Sequence, residues 1–237
     1  MNKAADTERT VARTTAHLAE RPGDDAAYAE RASALLELGR LEEAERDAAD
    51  AVRLDPDEVR YRELLAEIQS RRGEHADAAV EYARLARRDP AQVAWTVAEA
   101  AERIEAADAT KGVEAARRAV RLDPGNFDAQ LALARGLIHL GDAAGALAAA
   151  SRSSGLRPAD PGAREATADA LWLAGRVPAA FEEFAALASE LSGEEQERIV
   201  AKARSLYRQR AGWLGRLVAF SGAAFAFALR RGWLRVR

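Results

Sequence analysis

Apolar-periodic stretches along this chain come in pairs. The first member of a pair is closed by a glycine and the second by a proline, and the two closures alternate along most of the sequence. A glycine after such a stretch ends a helix in the left-handed conformation, and a proline after the next stretch stops that helix from continuing. The pattern predicts helix, tight turn, helix, break. Pro22, Pro56, Pro90, Pro124 and Pro158 are 34 residues apart, and three sit in near-identical contexts, Arg53-Leu54-Asp55-Pro56, Arg87-Arg88-Asp89-Pro90 and Arg121-Leu122-Asp123-Pro124. Gly39, Gly73, Gly141 and Gly175 keep the same spacing, with Ala107 in the place of the missing member. A third series, Ala44, Ala78, Gly112, Ala146 and Ala180, lies early in each second helix, where a short side chain lets two antiparallel helices approach closely.

These residues resemble the tetratricopeptide repeat family, whose unit is 34 residues long with a turn glycine, a small residue five places later and a terminal proline. The copy from Asp25 to Glu58 matches best, through Tyr28, Gly39, Ala44, Ala51, Leu54 and Pro56. The resemblance implies an all-α fold, a right-handed superhelical solenoid of antiparallel helix pairs. Residues 1–24 are expected to form an N-terminal capping helix, followed by five repeats at 25–58, 59–92, 93–126, 127–160 and 161–192. A basic C-terminal helix over 193–212 and an apolar, basic tail over 213–237 complete the chain. The third copy departs from the pattern at Ala107 and Gly112, which predicts a local irregularity there. The fifth lacks the closing proline and ends at Leu191-Ser192-Gly193.

In this family the first helix of each pair lines a concave groove that holds peptides. Carried onto this sequence, the resemblance implies groove residues Arg60, Glu63, Glu67 and Arg71 in the second repeat. The fourth would present Asp128, Leu131, Arg135, Ile138 and His139, and the fifth Glu165, Asp169 and Trp172. The implied groove mixes charges of both signs with apolar patches from Leu36, Leu131, Ile138 and Trp172. An alternative for Trp172 is packing against the next helix. The family's carboxylate clamp needs lysines and asparagines from adjacent repeats. This chain has three lysines and two asparagines, none at matching places, so a chaperone-tail partner is not expected.

Composition agrees with helices packed through small side chains: hydrophobic residues are 49%, charged 31% and aromatic only 6%. The formal net charge of -3 gives the whole chain no field that attracts nucleic acid. The average hides an asymmetry, because residues 198–237 carry ten basic side chains and no acidic one. Within them, the 13 residues from Leu217 to Leu229 form an uncharged run flanked by tryptophans and arginines. That is short of the roughly 20 residues a bilayer span needs, but interfacial tryptophans and basic flanks suit a membrane surface. Trp213, Leu217, Phe220, Phe225, Phe227, Arg230, Arg231 and Trp233 are the expected contacts with an anionic membrane or a membrane protein. Folding back as a cap on the solenoid, or serving as a partner or self-association surface, are the other readings.

The N-terminus has no apolar signal region, which makes a cytoplasmic location, with peripheral membrane association through the tail, the expectation. With no cysteine, thiol nucleophiles, disulfides and cysteine-based zinc sites are excluded. No phosphate loop, zinc helix or nucleophile elbow occurs, and His17, His75 and His139 lack metal-ligand spacing. No enzyme activity, cofactor or metal is expected. The sequence points to a non-catalytic scaffold for a peptide or protein partner, with homo-oligomeric assembly through tail or solenoid as the alternative.

Overall fold

The computed structural model describes residues 3–214, with side chains through residue 209. Among the described residues there are twelve α-helices and no strand. They are α1 (Lys3–Glu20), α2 (Asp25–Glu37), α3 (Leu41–Leu54), α4 (Val59–Arg72), α5 (His75–Arg88), α6 (Val93–Glu105) and α7 (Ala109–Leu122), then α8 (Phe127–Leu140), α9 (Ala143–Leu156), α10 (Pro161–Leu173), α11 (Val177–Glu190) and α12 (Gly193–Leu214). The chain divides into two compact units, Met1–Ala132 and Leu133–Arg237, and each packs its helices consecutively as antiparallel pairs.

The tight turns are set by local backbone chemistry. Gly39, Gly73, Gly141 and Gly175 all have φ between 73° and 80°, and the following N–H groups bond back into the helix just ended. Ala107 occupies the same turn at φ 60°, the left-handed region where a Cβ crowds the carbonyl oxygen. Ala107→Gly is therefore expected to raise the stability of the first unit by about 0.5–1 kcal/mol, measured as a shift in denaturation midpoint.

Five positions later the packing demands small residues. Ala44, Ala78, Ala146 and Ala180 have no exposed surface. At Gly112 a Cβ would stand 2.6 Å from Cγ1 of Ile104 and 3.2 Å from the Ala100 carbonyl oxygen, so α7 approaches α6 more closely than alanine permits. The irregularity of the third repeat thus joins a strained turn to an unusually close crossing.

In the first unit the core is a layer of Val11, Leu35, Leu36, Leu65 and Ile68 around the alanines of α2 and α3. In the second, Phe184, Leu187 and Ile199 pack on Ala168 and Ala188. Between the helices of a pair lie charged bridges, each with at least one partner largely buried. Arg31 on α2 grips Asp47 on α3 through two bonds of 2.6 and 2.7 Å. Arg62 on α4 reaches Glu81 on α5 at 2.5 Å, and Arg164 on α10 reaches Glu183 on α11 at 2.8 Å. The third pair reverses the polarity: Glu99 on α6 accepts from Arg118 on α7 at 2.5 Å.

Candidate functional site

The first helices of the first four pairs, α2, α4, α6 and α8, have a face left open to solvent, and its position recurs. On α2 the exposed residues include Ala26, Ser33 and Glu37, on α4 Arg60, Glu67 and Arg71, and on α6 Ala94, Ala101 and Glu105. These are the second, ninth and thirteenth positions of each helix, and at 3.6 residues per turn they form one stripe. On α8 the same positions, Asp128, Arg135 and His139, are exposed too.

Lateral hydrogen bonds hold the three helices of the first unit in register. The Tyr61 hydroxyl on α4 donates to Asp25 on α2 at 2.8 Å, and the Trp95 indole N–H on α6 donates to Glu63 on α4 at 2.5 Å. At the far end of α4, Ser70 donates to Glu102 of α6 at 2.7 Å, and the same carboxylate meets His75 at 2.8 Å. Burial and the neighbouring Asp25 carboxylate push the Tyr61 hydroxyl up to about 12, so it stays a donor at any physiological pH.

The charges of the stripe are largely matched within the chain. Arg60 bonds Glu58, Arg71 bonds Glu67 at 2.7 Å, and Glu37 lies 3.7 Å from Lys3. Glu63 is engaged by Trp95. What remains open is a shallow surface of alanine, serine and neutralised charge, which admits a ligand backbone closely.

Other expected groove residues stand differently. Leu131 is only 9% exposed and Leu36 is buried with it among the core residues, which leaves either one little surface to offer a ligand. Ile138 is half-buried, while Arg135 and His139 are exposed. In the second unit, Glu165, Asp169 and Trp172 meet α11 and α12. Arg198 bonds Glu165 through two contacts of 2.9 and 2.7 Å, and Lys202 bonds both Glu165 and Asp169, at 2.7 and 2.6 Å. The Trp172 ring lies edge-on to Phe181, whose own ring is edge-on to Tyr207 of α12. With Ile199 fully buried beside Phe184, α12 takes the place that the first helix of a further pair would occupy. Its solvent side carries Glu194, Glu195, Glu197, Arg204, Ser205 and Arg208, a polar face suited to the end of a stack. The periodic pattern of the repeats does not announce this docking, because the short stripe Ile199, Val200, Ala203, Leu206 sits among basic residues.

The carboxylate at Glu165 gives this docking a pH dependence. Burial pushes it up, but the hydrogen bonds and charges of Arg198 and Lys202 outweigh that and hold it down to about 2. Asp169 moves the other way, raised by burial against the pull of Lys202. Because Glu165 titrates below the ordinary glutamate value, its stabilisation is present above that value and disappears as pH falls toward about 2. Glu165→Gln is expected to destabilise the second unit by about 2 kcal/mol at neutral pH, the gap to wild type closing as pH falls from about 4.5 toward 2. Thermal melts over that range check it.

Among the described residues no group of histidines and carboxylates is arranged to hold a metal ion, and no helix is long and apolar enough to cross a membrane. Trp213 lies on the backbone of α12, but its side chain and Leu217, Phe220, Phe225, Phe227, Arg230, Arg231 and Trp233 lie outside the described residues.

Residues 15–93 match the family model of the tetratricopeptide repeat. The helix pairs above continue at the same spacing beyond the matched residues, which gives the chain a tetratricopeptide-repeat-like fold. Solved structures agree on the fold. A tetratricopeptide repeat protein from Parabacteroides merdae is similar at a TM-score of 0.70 and 13% identity, over 95% of this chain and 92% of its own. YrrB is similar at 0.59 and 15% identity, over 80% of this chain and 97% of its own. Yeast Tom70 is similar at 0.58 and 17% identity over 84% of this chain, which spans only 43% of Tom70. No curated protein matches the chain in sequence. Repeats of this family form scaffolds for protein–protein interaction.

Proposed function

We propose that this chain is a non-catalytic scaffold that binds a peptide or protein segment across the stripes of α2, α4 and α6. The observation that carries the reading is the recurrence of exposure at the same three positions of those helices, locked side by side by the Tyr61–Asp25 and Trp95–Glu63 bonds. Arg60, Glu63, Glu67 and Arg71 then lie at the centre of the site. Because the stripe is small and charge-neutralised, the ligand is an extended or helical segment recognised through its backbone and polar side chains. YrrB, a tetratricopeptide repeat protein described as having an unusual peptide-binding site, supports the class of ligand. Arg135, Ile138 and His139 of α8 are the candidate contacts in the second unit, whereas Glu165, Asp169 and Trp172 serve the docking of α12.

The basic, apolar tail over 213–237 tethers the scaffold to an anionic membrane surface or membrane protein. The polar face that α12 presents at the end of its unit supports a tether over a cap as the role of the tail. Two measurements test the proposal. A photo-crosslinking side chain at Ala94 or Ala101 is expected to capture the native partner, and one at exposed Arg117 of α7 is not. Equal adducts from all three positions would remove the stripe as the site. Flotation with anionic liposomes is expected for the full chain and lost on deleting 213–237. Discrete oligomers that do not float would favour self-assembly instead.

A further inference from the structure

The back of α6 holds a second feature. Thr96, Glu99 and Arg103 are spaced by three and four residues and line the floor of a cleft of about 690 Å³ between α5 and α7. At 100° per residue this face is opposite the one carrying Ala94, Ala101 and Glu105, so the cleft is separate from the stripe.

Its composition is specific to the third repeat. The residues at the same three positions of α2 are Tyr28, Arg31 and Leu35, and those of α4 are Arg62, Leu65 and Gln69. In α6 the first of them is a short threonine, which opens space, and the other two are charged. Glu99 is 4% exposed and is neutralised by Arg103 at 2.9 Å and Arg118 at 2.5 Å. Around this floor stand Arg87, Lys111 and Arg121 with Glu114, and because Lys111 is paired with Asp108 at 2.9 Å, the cations in excess are Arg87 and Arg121. Arg87 and Arg121 hold the same repeat position at the ends of α5 and α7, and both are exposed. Among the described residues neither has an acidic partner at ion-pair distance. Ala83 and Ala86 line one wall, and Leu122, 49% exposed, lies on the other.

We infer that this cleft is a second binding site, for an acidic protein segment that carries an apolar side chain. Arg87 and Arg121 pair with its carboxylates, and the apolar side chain sits between Ala83, Ala86 and Leu122. The excess of cations is local: the chain as a whole is net acidic, which discourages a long polyanion but not a short acidic segment.

The test uses the full chain and a fluorescein-labelled peptide of alternating glutamate and leucine, followed by fluorescence anisotropy at low and physiological salt. Binding is expected, and a matched peptide with glutamine for glutamate is expected not to bind. Arg87→Glu combined with Arg121→Glu should weaken binding about tenfold or more. Both side chains are exposed, so the circular dichroism melt should not move. Arg53→Glu, at the same repeat position away from the cleft, and Arg71→Glu, on the stripe, should leave binding within about twofold of wild type. No binding by wild type, or an equal loss in the Arg53 or Arg71 variant, would overturn the site. Displacement of the peptide by a single-stranded oligonucleotide at equal concentration would overturn its assignment to protein. Loss of crosslinking at Ala94 and Ala101 without loss of peptide binding would defeat the stripe and spare the cleft.

Discussion

Arg31→Ala is expected to lower the unfolding free energy of the first unit by about 3 kcal/mol, read from the urea midpoint at constant slope. The bridge it breaks has two short bonds, and Asp47 is only 6% exposed. The cost comes less from the lost attraction than from the carboxylate left behind, which neither water nor another cation reaches. Replacing both partners, Arg31→Met with Asp47→Leu, should therefore recover most of the loss, since apolar groups of similar volume leave nothing unsatisfied. A cost under about 1 kcal/mol for the single substitution would mean that water enters beside Asp47 and that the bridge is worth no more than a surface pair.

Phe184→Ala should have the largest effect in the second unit, about 3–4 kcal/mol. The ring is 1% exposed and packs on Ala168, Leu187, Ala188 and Ile199, so its removal leaves a cavity bounded by α10, α11 and α12. Ile199 is the buried anchor of α12, and hydrogen exchange should show α12 losing protection before α10 and α11 do. The first unit should keep its exchange pattern, as expected where each helix pair is stabilised by its immediate neighbours. Loss of protection throughout the chain would show cooperativity that nearest-neighbour packing does not provide.

The class of fold and its period were legible because proline and glycine act on their own backbone. Pro56 or Gly73 ends a helix regardless of what packs nearby, so the signal survives without tertiary knowledge. The open face of α4 came from the resemblance to the family, which implied Arg60, Glu67 and Arg71 there, and all three are exposed. Burial was harder to read. Leu131 and Leu36 share the period of exposed residues, and only the neighbouring helices decide that they are covered. The same holds for Trp172, whose surroundings depend on Phe181 and Tyr207 from two later helices. Arg31 and Asp47 look in the sequence like any two solvated charges, separated by 16 residues and a turn. The cleft behind α6 had only an indirect trace, the departures at Ala107 and Gly112 in the same repeat.

The reversed bridge of the third pair bears on how such an array can grow. Arg31 and Glu99 hold the same place in their helices, yet one needs an acid across the pair and the other a base. A recombination that joined α2 to α7 would put Ala115 in the register of Asp47 across from Arg31, and one that joined α6 to α3 would put Asp50 in the register of Arg118 across from Glu99. Either hybrid separates a largely buried charge from its counterion across the pair, while duplicating or exchanging a whole pair carries the counterion along. Crossovers in the proline breaks keep these bridges intact and those in the glycine turns do not, so the electrostatics of the core favour whole pairs as the unit of exchange.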